Sequence, residues 1–428
     1  MNDRFDIVEG DVSIRDGRIA AIGPTISLPH DRVVDARGGY VLPGFVQTHI
    51  HLCQTLFRGF ADDLPLMDWL RRRVWPMEAA HTPSTLRASA RLATTELLAG
   101  GTTTVLTMET VHDTEVVFEA VAESGMRATI GKCMMDFDAQ VPKRLQEETH
   151  ASIEQSLAIR KRWDGANAGR LRAAFAPRFA VSCSRELLET VASLAEQHHA
   201  LVHTHASESQ DEIRIVQQLS GARTNIEYLA SLRLASPHLC AAHCVWVDER
   251  DQAILAERDV KVMHCPGSNL KLGSGIAPVV EMRARGITVS LGADGAACNN
   301  RLDMFEEMRL AAVLQAVRKA PGVLVARDVL AMATRAGART LGLDEEIGSI
   351  EVGKKADVIV VDRDRPHLLP GPDPYSTLVY AARGSDVRTT IVDGEVLVDD
   401  FMPLRVDRHQ IAADARAAAR ELASRAGV

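Results

Sequence analysis

Nowhere in its 428 residues does the chain carry an uninterrupted apolar stretch of membrane-spanning length. Nor does it open with a basic segment followed by an apolar one, so no secretory leader is expected. An excess of one charge is missing too: 49 lysines and arginines stand against 57 aspartates and glutamates, mixed along the whole length for a formal net charge of −8. That balance argues against a polyanion-binding surface, and neither nucleic acid nor a membrane is expected as a partner. The seven cysteines include no C-x-x-C pair, which suits a reducing, cytoplasmic compartment better than a disulfide framework. Repeats of solenoid period and low-complexity linkers are absent. What is left is a globular protein of ordinary composition, 46% hydrophobic and 25% charged, long enough for one large domain and a smaller one.

Over residues 43–348, short β-branched or apolar runs alternate with longer helical patterns. The runs are GFVQTHIH, TTTVLTM, RATIGKCM, LRAAFAPRF, ALVHTHASE, LCAAHCVWV, VKVMHCPGS and TVSLGADG. Between them lie stretches such as TLRASARLATTELLAGG and SRELLETVASLAEQHHA, with apolar residues at helical spacing. Eight strands alternating with helices predict an α/β protein whose parallel βα units close into a (β/α)8 TIM-type barrel. An open doubly wound sheet would want a Gly-rich turn after its first strand, and none is present.

The chain ends read differently. DVSIRDGRIAAIG and DRVVDARGGYV near the start, and SIEVGKKADVIVVDRD and VRTTIVDGEVLVDD near the end, are short strands with turn signals, a D-G turn in each end. Each segment is too short for a stable sheet alone, so residues 1–42 and 349–402 are expected to pair into one small β-sandwich domain. Residues 403–428 contain the Ala-rich QIAADARAAARELASRA, which reads as a terminal helix.

Residues at the C-terminal ends of barrel strands converge on one mouth, where such enzymes carry their chemistry. His49 and His51, two apart on the first strand, both point inward. The fifth strand ends with His203, His205 and Glu208, the sixth with His243, the seventh with His264 and the eighth with Asp294. A single inward histidine is most often a hydrogen-bonded core residue, and His203 and His264 stay closest to that reading. Five strand ends each offering a metal-competent or acid–base group are harder to explain so. Imidazole and carboxylate groups converging on one point suit a borderline cation such as zinc, and burying Asp294 without a cation or donor would be costly.

In order and spacing, VLPGFVQTHIH, HTHASE, AAHC and LGADGAACNN resemble the amidohydrolase superfamily in its cyclic-amidine deaminase branch, over nearly the whole chain. By position, the resemblance implies that His49, His51, His205 and Asp294 hold one metal per subunit, for which zinc and ferrous iron both suit the donors. It implies Glu208 as proton shuttle, His243 as the group that orients and polarises the nucleophilic water, and a homodimer. Deaminating an aromatic amidine needs hydroxide at neutral pH, a proton for the ring nitrogen and a proton for the departing ammonia. Asp294 can accept the water's first proton and Glu208 can supply the other two transfers, while His243 steadies charge on the attacking oxygen. The fourth strand ends AFAPRF, without the bridging lysine or carboxylate of binuclear relatives.

The substrate is then a small N-heteroaromatic molecule with water. IGKCMMDFDAQVP, APRFAVSCS and Gln54 resemble guanine deaminase, where Arg178 would donate to the purine carbonyl and its neighbouring nitrogen, Gln54 would read the amino-pyrimidine edge and Phe179 would enclose the ring. A guanidinium offers only donors, which suits an oxo-purine such as guanine. GSNLKLGSGIAP and LGADGAACNN are closer to the methylthioadenosine and S-adenosylhomocysteine deaminases, for which the resemblance implies Glu78 at the ribose diol and Arg144 at the substrate's tail. Guanine deaminases also carry a glutamate at the place of Glu78, so that residue does not decide. Lys132 stands where that branch would supply an arginine. The leading expectation is guanine or a related oxo-aminopurine, with an adenosine-type nucleoside as the alternative; triazine hydrolases share the metal motif. A non-catalytic scaffold is disfavoured because every expected ligand and Glu208 are present.

Overall fold

The structure, a computed structural model, describes residues 2, 4–137 and 141–428; residues 138–140 of the IGKCMMDFDAQVP stretch fall outside them. The chain opens with a hairpin of β1 (Asp11–Arg15) and β2 (Arg18–Gly23), turned by Asp16 and Gly17, both at positive φ, as a two-residue hairpin turn requires. β3 (Tyr40–Pro43) leads through Gly44 into β4 (Phe45–His51). There follow β5 (Thr102–Met108), β6 (Arg127–Met134), β7 (Leu171–Pro177), β8 (Val202–Ala206), β9 (Leu239–His243) and β10 (Lys261–His264). An eighth strand comes in two halves, β11 (Val289–Leu291) and β12 (Asp294–Gly295).

These strands are parallel and lie in chain order. The divided eighth strand closes the ring: β11 pairs with β10, Val289 opposite Val262, and β12 pairs with β4, Asp294 opposite Ile50. Every residue of β4, β5 and β6 is buried, as expected of strands covered by helices outside and side chains within. Between the two halves, Gly292 comes so close to β4 that a Cβ would stand 2.5 Å from His49 O. The seam carrying Asp294 can therefore press against the strand carrying the histidine pair.

The helical patterns form as expected. Pro83–Ala99 starts on a Thr82 capping box, and Arg185–His198 on Ser184, whose hydroxyl accepts from Leu187 N. The terminal helix Arg408–Ala426 buries Ile411, Ala415, Ala418 and Leu422. No helix among the described residues is long and apolar enough to cross a membrane.

β3 joins β13 (Val358–Val361), β14 (Val387–Val392), β15 (Glu395–Asp399) and β16 (Met402–Pro403) in an antiparallel sheet ordered β16-β15-β14-β13-β3. The β1–β2 hairpin is a separate layer. It packs Ile19 against Ile350, Ala356, Val358 and Ile391 and bonds through Ile19 N to Lys354 O at 2.8 Å. Strand is shorter here than the alternation suggests: Ala36–Gly39 closes a turn with Arg37 and Gly38 at positive φ, and Gly353 at φ 95° turns the chain before β13. At the base of the barrel, Arg127 donates to both Asp357 oxygens at 3.0 Å, and Asp357 also accepts from Asp393 N at 2.8 Å. This buried pair clamps β6 to the small sheet.

Candidate metal and active site

The ligating atoms of His49, His51, His205 and Asp294 lie within 4.8 Å of one another at the barrel mouth. Backbone carbonyls fix how the imidazoles are protonated. His51 Nδ1 donates to Met108 O and His205 Nδ1 to Arg178 O, each at 2.7 Å, which leaves both Nε2 atoms as bare lone pairs facing each other at 3.3 Å. His49 turns Nε2 to the same point and makes no hydrogen bond there; its Nδ1 meets His203 Nε2 at 2.6 Å. Asp294 Oδ1 stands 3.3 Å from His49 Nε2 and 3.2 Å from His51 Nε2. Burial lowers the His49 pKa to about 4, and burial with the neighbouring imidazoles holds His205 well below its ordinary value. Burial opposes ionisation of Asp294, yet His49 and His51 keep it well below the usual carboxylate range. Asp294 in turn raises the His51 pKa against the effect of burial, so these nitrogens and the carboxylate, all aimed at one point, call for a positive charge, a proton or a divalent cation, among them. The donor set fits a divalent metal.

Beside this cluster, Glu208 Oε2 lies 3.5 Å from His243 Nε2, which is 3.8 Å from Asp294 Oδ2. Burial raises the Glu208 pKa, moving the carboxyl toward a range where it can both give and take a proton. Ser207, His243 and Asp294 all adopt positive φ, 55°, 70° and 62°. Such backbone is costly for residues other than glycine and is tolerated where the surroundings enforce it.

Three partners escaped the sequence reading, and all come from the segment after β10. Ser268 Oγ donates to Asp294 Oδ2 at 2.7 Å, Asn269 Oδ1 meets His243 Nδ1 at 2.8 Å, and Ser274 Oγ donates to Glu208 Oε1 at 3.1 Å. The available signal was the polar spacing in CPGSNLKLGSG at the mouth end of the seventh strand. His264 is buried on β10 outside the cluster, with neither ring nitrogen partnered. His203 backs His49.

The cavity over these groups is walled by Leu66, Trp69, Leu70, Phe179 and Leu272, with Gln54 and Arg178 on its polar side. Phe179 presents its ring edge-on to His205, centroids 6.4 Å apart. Arg178 does not offer a free guanidinium. Its Nη1 and Nη2 donate to Glu78 Oε2 and Oε1 at 2.5 and 3.2 Å, and Gln54 Nε2 donates to Glu78 Oε1 at 2.9 Å. Arg178 and Gln54, both expected at the edge of an oxo-purine, thus share Glu78 as an acceptor, and a buried guanidinium needs such a counter-charge. Arg144, expected at the substrate's tail, is exposed and does not line the cavity; its Nη2 donates to His81 O at 3.0 Å. Lys132 is consumed by a buried ion pair with Glu147 at 2.6 Å.

Residues 40–397 match the family described as the amidohydrolase family. The chain is 41% identical to the 5′-deoxyadenosine deaminase of Methanosarcina acetivorans over 99% of this chain and 96% of that protein. It is 41% identical to the 5-methylthioadenosine/S-adenosylhomocysteine deaminase of Desulforudis audaxviator, over 96% and 95% respectively. Among solved structures, an adenosine deaminase from Xanthomonas campestris with bound zinc superposes with a TM-score of 0.88 at 32% identity, covering 96% of this chain and 93% of that one. The E. coli guanine deaminase gives 0.82 at 28%, covering 91% and 92%. With this barrel, this donor set and these relatives, the chain belongs to the amidohydrolase family, as a hydrolase acting on C–N bonds.

Proposed function

We propose that the protein is an adenosine-type nucleoside deaminase, replacing the 6-amino group of 5′-deoxyadenosine or 5′-methylthioadenosine by oxygen with release of ammonia. The observation that carries this reading is the Glu78–Arg178 pair beside the cavity. A vicinal diol both donates and accepts hydrogen bonds, and a carboxylate next to a guanidinium offers an acceptor and donors together. A guanidinium that already spends two of its N–H donors on Glu78 has fewer left for guanine's carbonyl edge. The similarity to 5′-deoxyadenosine and methylthioadenosine deaminases points the same way.

His49, His51, His205 and Asp294 would hold one divalent ion per chain, zinc by likeness to the Xanthomonas enzyme. When bound, such an ion supplies a nucleophilic water that ionises near neutral pH. The remaining chemistry falls to side chains. Asp294 takes a proton from the nucleophile. With Nδ1 facing Asn269, His243 directs Nε2 toward the space between Glu208 and Asp294, where it steadies the attacking oxygen. Glu208 protonates the ring nitrogen as the C–O bond forms. The carboxylate so left takes the remaining hydroxyl proton and passes it to the amine as the C–N bond breaks into carbonyl and ammonia, and the proton held by Asp294 restores Glu208. Leu66, Trp69, Leu70 and Leu272 exclude bulk water.

The test is ammonia release by zinc-loaded protein with 5′-deoxyadenosine, 5′-methylthioadenosine and guanine side by side. The expected result is turnover of both nucleosides with kcat/KM for guanine lower by about 10,000-fold, the order of discrimination when a site's buried polar groups are left unpaired. Faster turnover of guanine would sink the reading and return Arg178 to the purine edge.

A further inference from the structure

Glu212 is a buried carboxylate that the chemistry above does not use. It lies in the first turn of the helix Gln210–Ser220 and is 0% exposed. Among the described residues its partners are backbone N–H groups and an amide rather than a lysine or arginine, and its burial rests on them. Its oxygens point to the backbone. Oε2 accepts the N–H of Glu208 at 2.7 Å, and Oε1 accepts the N–H of Ser207 at 3.3 Å together with a short contact from Asn225 Nδ2.

The turn it grips is strained and shared. Ser207 sits at φ 55°, a left-handed conformation that is unfavourable for a non-glycine residue. Ser207 O accepts from Val245 N at 3.0 Å and Trp246 N at 2.9 Å, and Ala206 O accepts from Cys244 N at 3.0 Å. The turn after β8, carrying Glu208, is thus sewn to the turn that follows β9, the strand ending in His243. Glu212 supplies the acceptors on its other side.

We propose that Glu212 is a positioning residue for the reaction, holding the Ser207–Glu208 turn so that the Glu208 carboxyl stays aimed at His243. This rests on the reading of Glu208 as the proton carrier. Glu212→Gln keeps the volume of the side chain but places an NH2 group where backbone N–H groups need an acceptor, so the turn must shift. Relaxing a reacting group by about 1 Å costs on the order of 100-fold. The expected result with 5′-deoxyadenosine is a kcat lower by roughly 10- to 100-fold, with KM within about two-fold and bound zinc per chain unchanged. Asn225→Ala, which removes the side-chain donor holding Glu212 Oε1, should show a smaller loss of the same kind and carries the test if Glu212→Gln does not fold. Full kcat in a folded, zinc-loaded variant overturns the inference, as does a kcat loss that merely tracks lost zinc. Glu208→Gln is measured in parallel. If it abolishes turnover while Glu212→Gln does not, only the bracing role fails; if it retains kcat, the reading of Glu208 itself has failed.

Discussion

Replacing Glu78 by glutamine separates two functions of one carboxylate. In the folded protein it neutralises Arg178 through contacts of 2.5 and 3.2 Å, with side chains 3% and 5% exposed respectively. Glutamine keeps an acceptor oxygen but removes the charge, leaving a guanidinium buried without a counter-ion. Breaking one side of a buried pair typically costs about 3–5 kcal/mol, a large part of the roughly 5–15 kcal/mol that holds a domain folded. If the carboxylate also takes the nucleoside diol, a hydrogen bond to a charged acceptor worth about 1.5–3 kcal/mol weakens as well. That corresponds to a roughly 10- to 150-fold rise in KM.

The two effects are read independently. Urea unfolding of Glu78→Gln gives the first, and Glu78→Gln/Arg178→Gln should recover part of the loss because neither charge is then stranded. Ammonia release from 5′-deoxyadenosine and from adenine base gives the second: KM should rise for the nucleoside far more than for the base. An equal rise for both would refute the diol role and make Glu78 only the counter-ion of Arg178. No loss of stability would refute the burial argument.

Much of this frame is readable from local pattern. TTTVLTM, bounded by Gly101, is the strand Thr102–Met108 because a short β-branched run between helical patterns has few other ways to bury itself. The H-x-H pair and Asp294 meet because strand ends of one barrel share a mouth, whatever the distance along the chain. Side-chain pairing is not local in that way. Glu78 and Arg178 are each plausible substrate contacts when read singly, and only the fold shows that they answer each other. Arg144 likewise reads as a spare charge until His81 O is seen to accept from it. The walls at Leu66, Trp69 and Leu70 come from helical segments after β4 that fold over the mouth, and periodicity reports a helix's apolar face without saying what it covers. Ser268, Asn269 and Ser274 act through neighbours, so the polar spacing of CPGSNLKLGSG marks the segment without saying which groups they support.

Two further substitutions probe opposite ends of the barrel. His203→Ala removes the partner of His49 Nδ1, and loss of such a supporting hydrogen bond should weaken zinc by about 10- to 100-fold; competition against a chelator measures it, and unchanged affinity would leave His203 as core filling. Asp357→Asn leaves Arg127, 3% exposed, without its main counter-charge at the barrel base, for an expected loss of about 3–5 kcal/mol in urea unfolding. Because Arg127 lies at the entry end of β6 and the active groups at the exit ends of the strands, kcat per folded molecule should not change. If kcat fell together with stability, the small sheet would be setting the geometry of the mouth as well as closing the base. The clamp would then have to be understood as part of the active site's support.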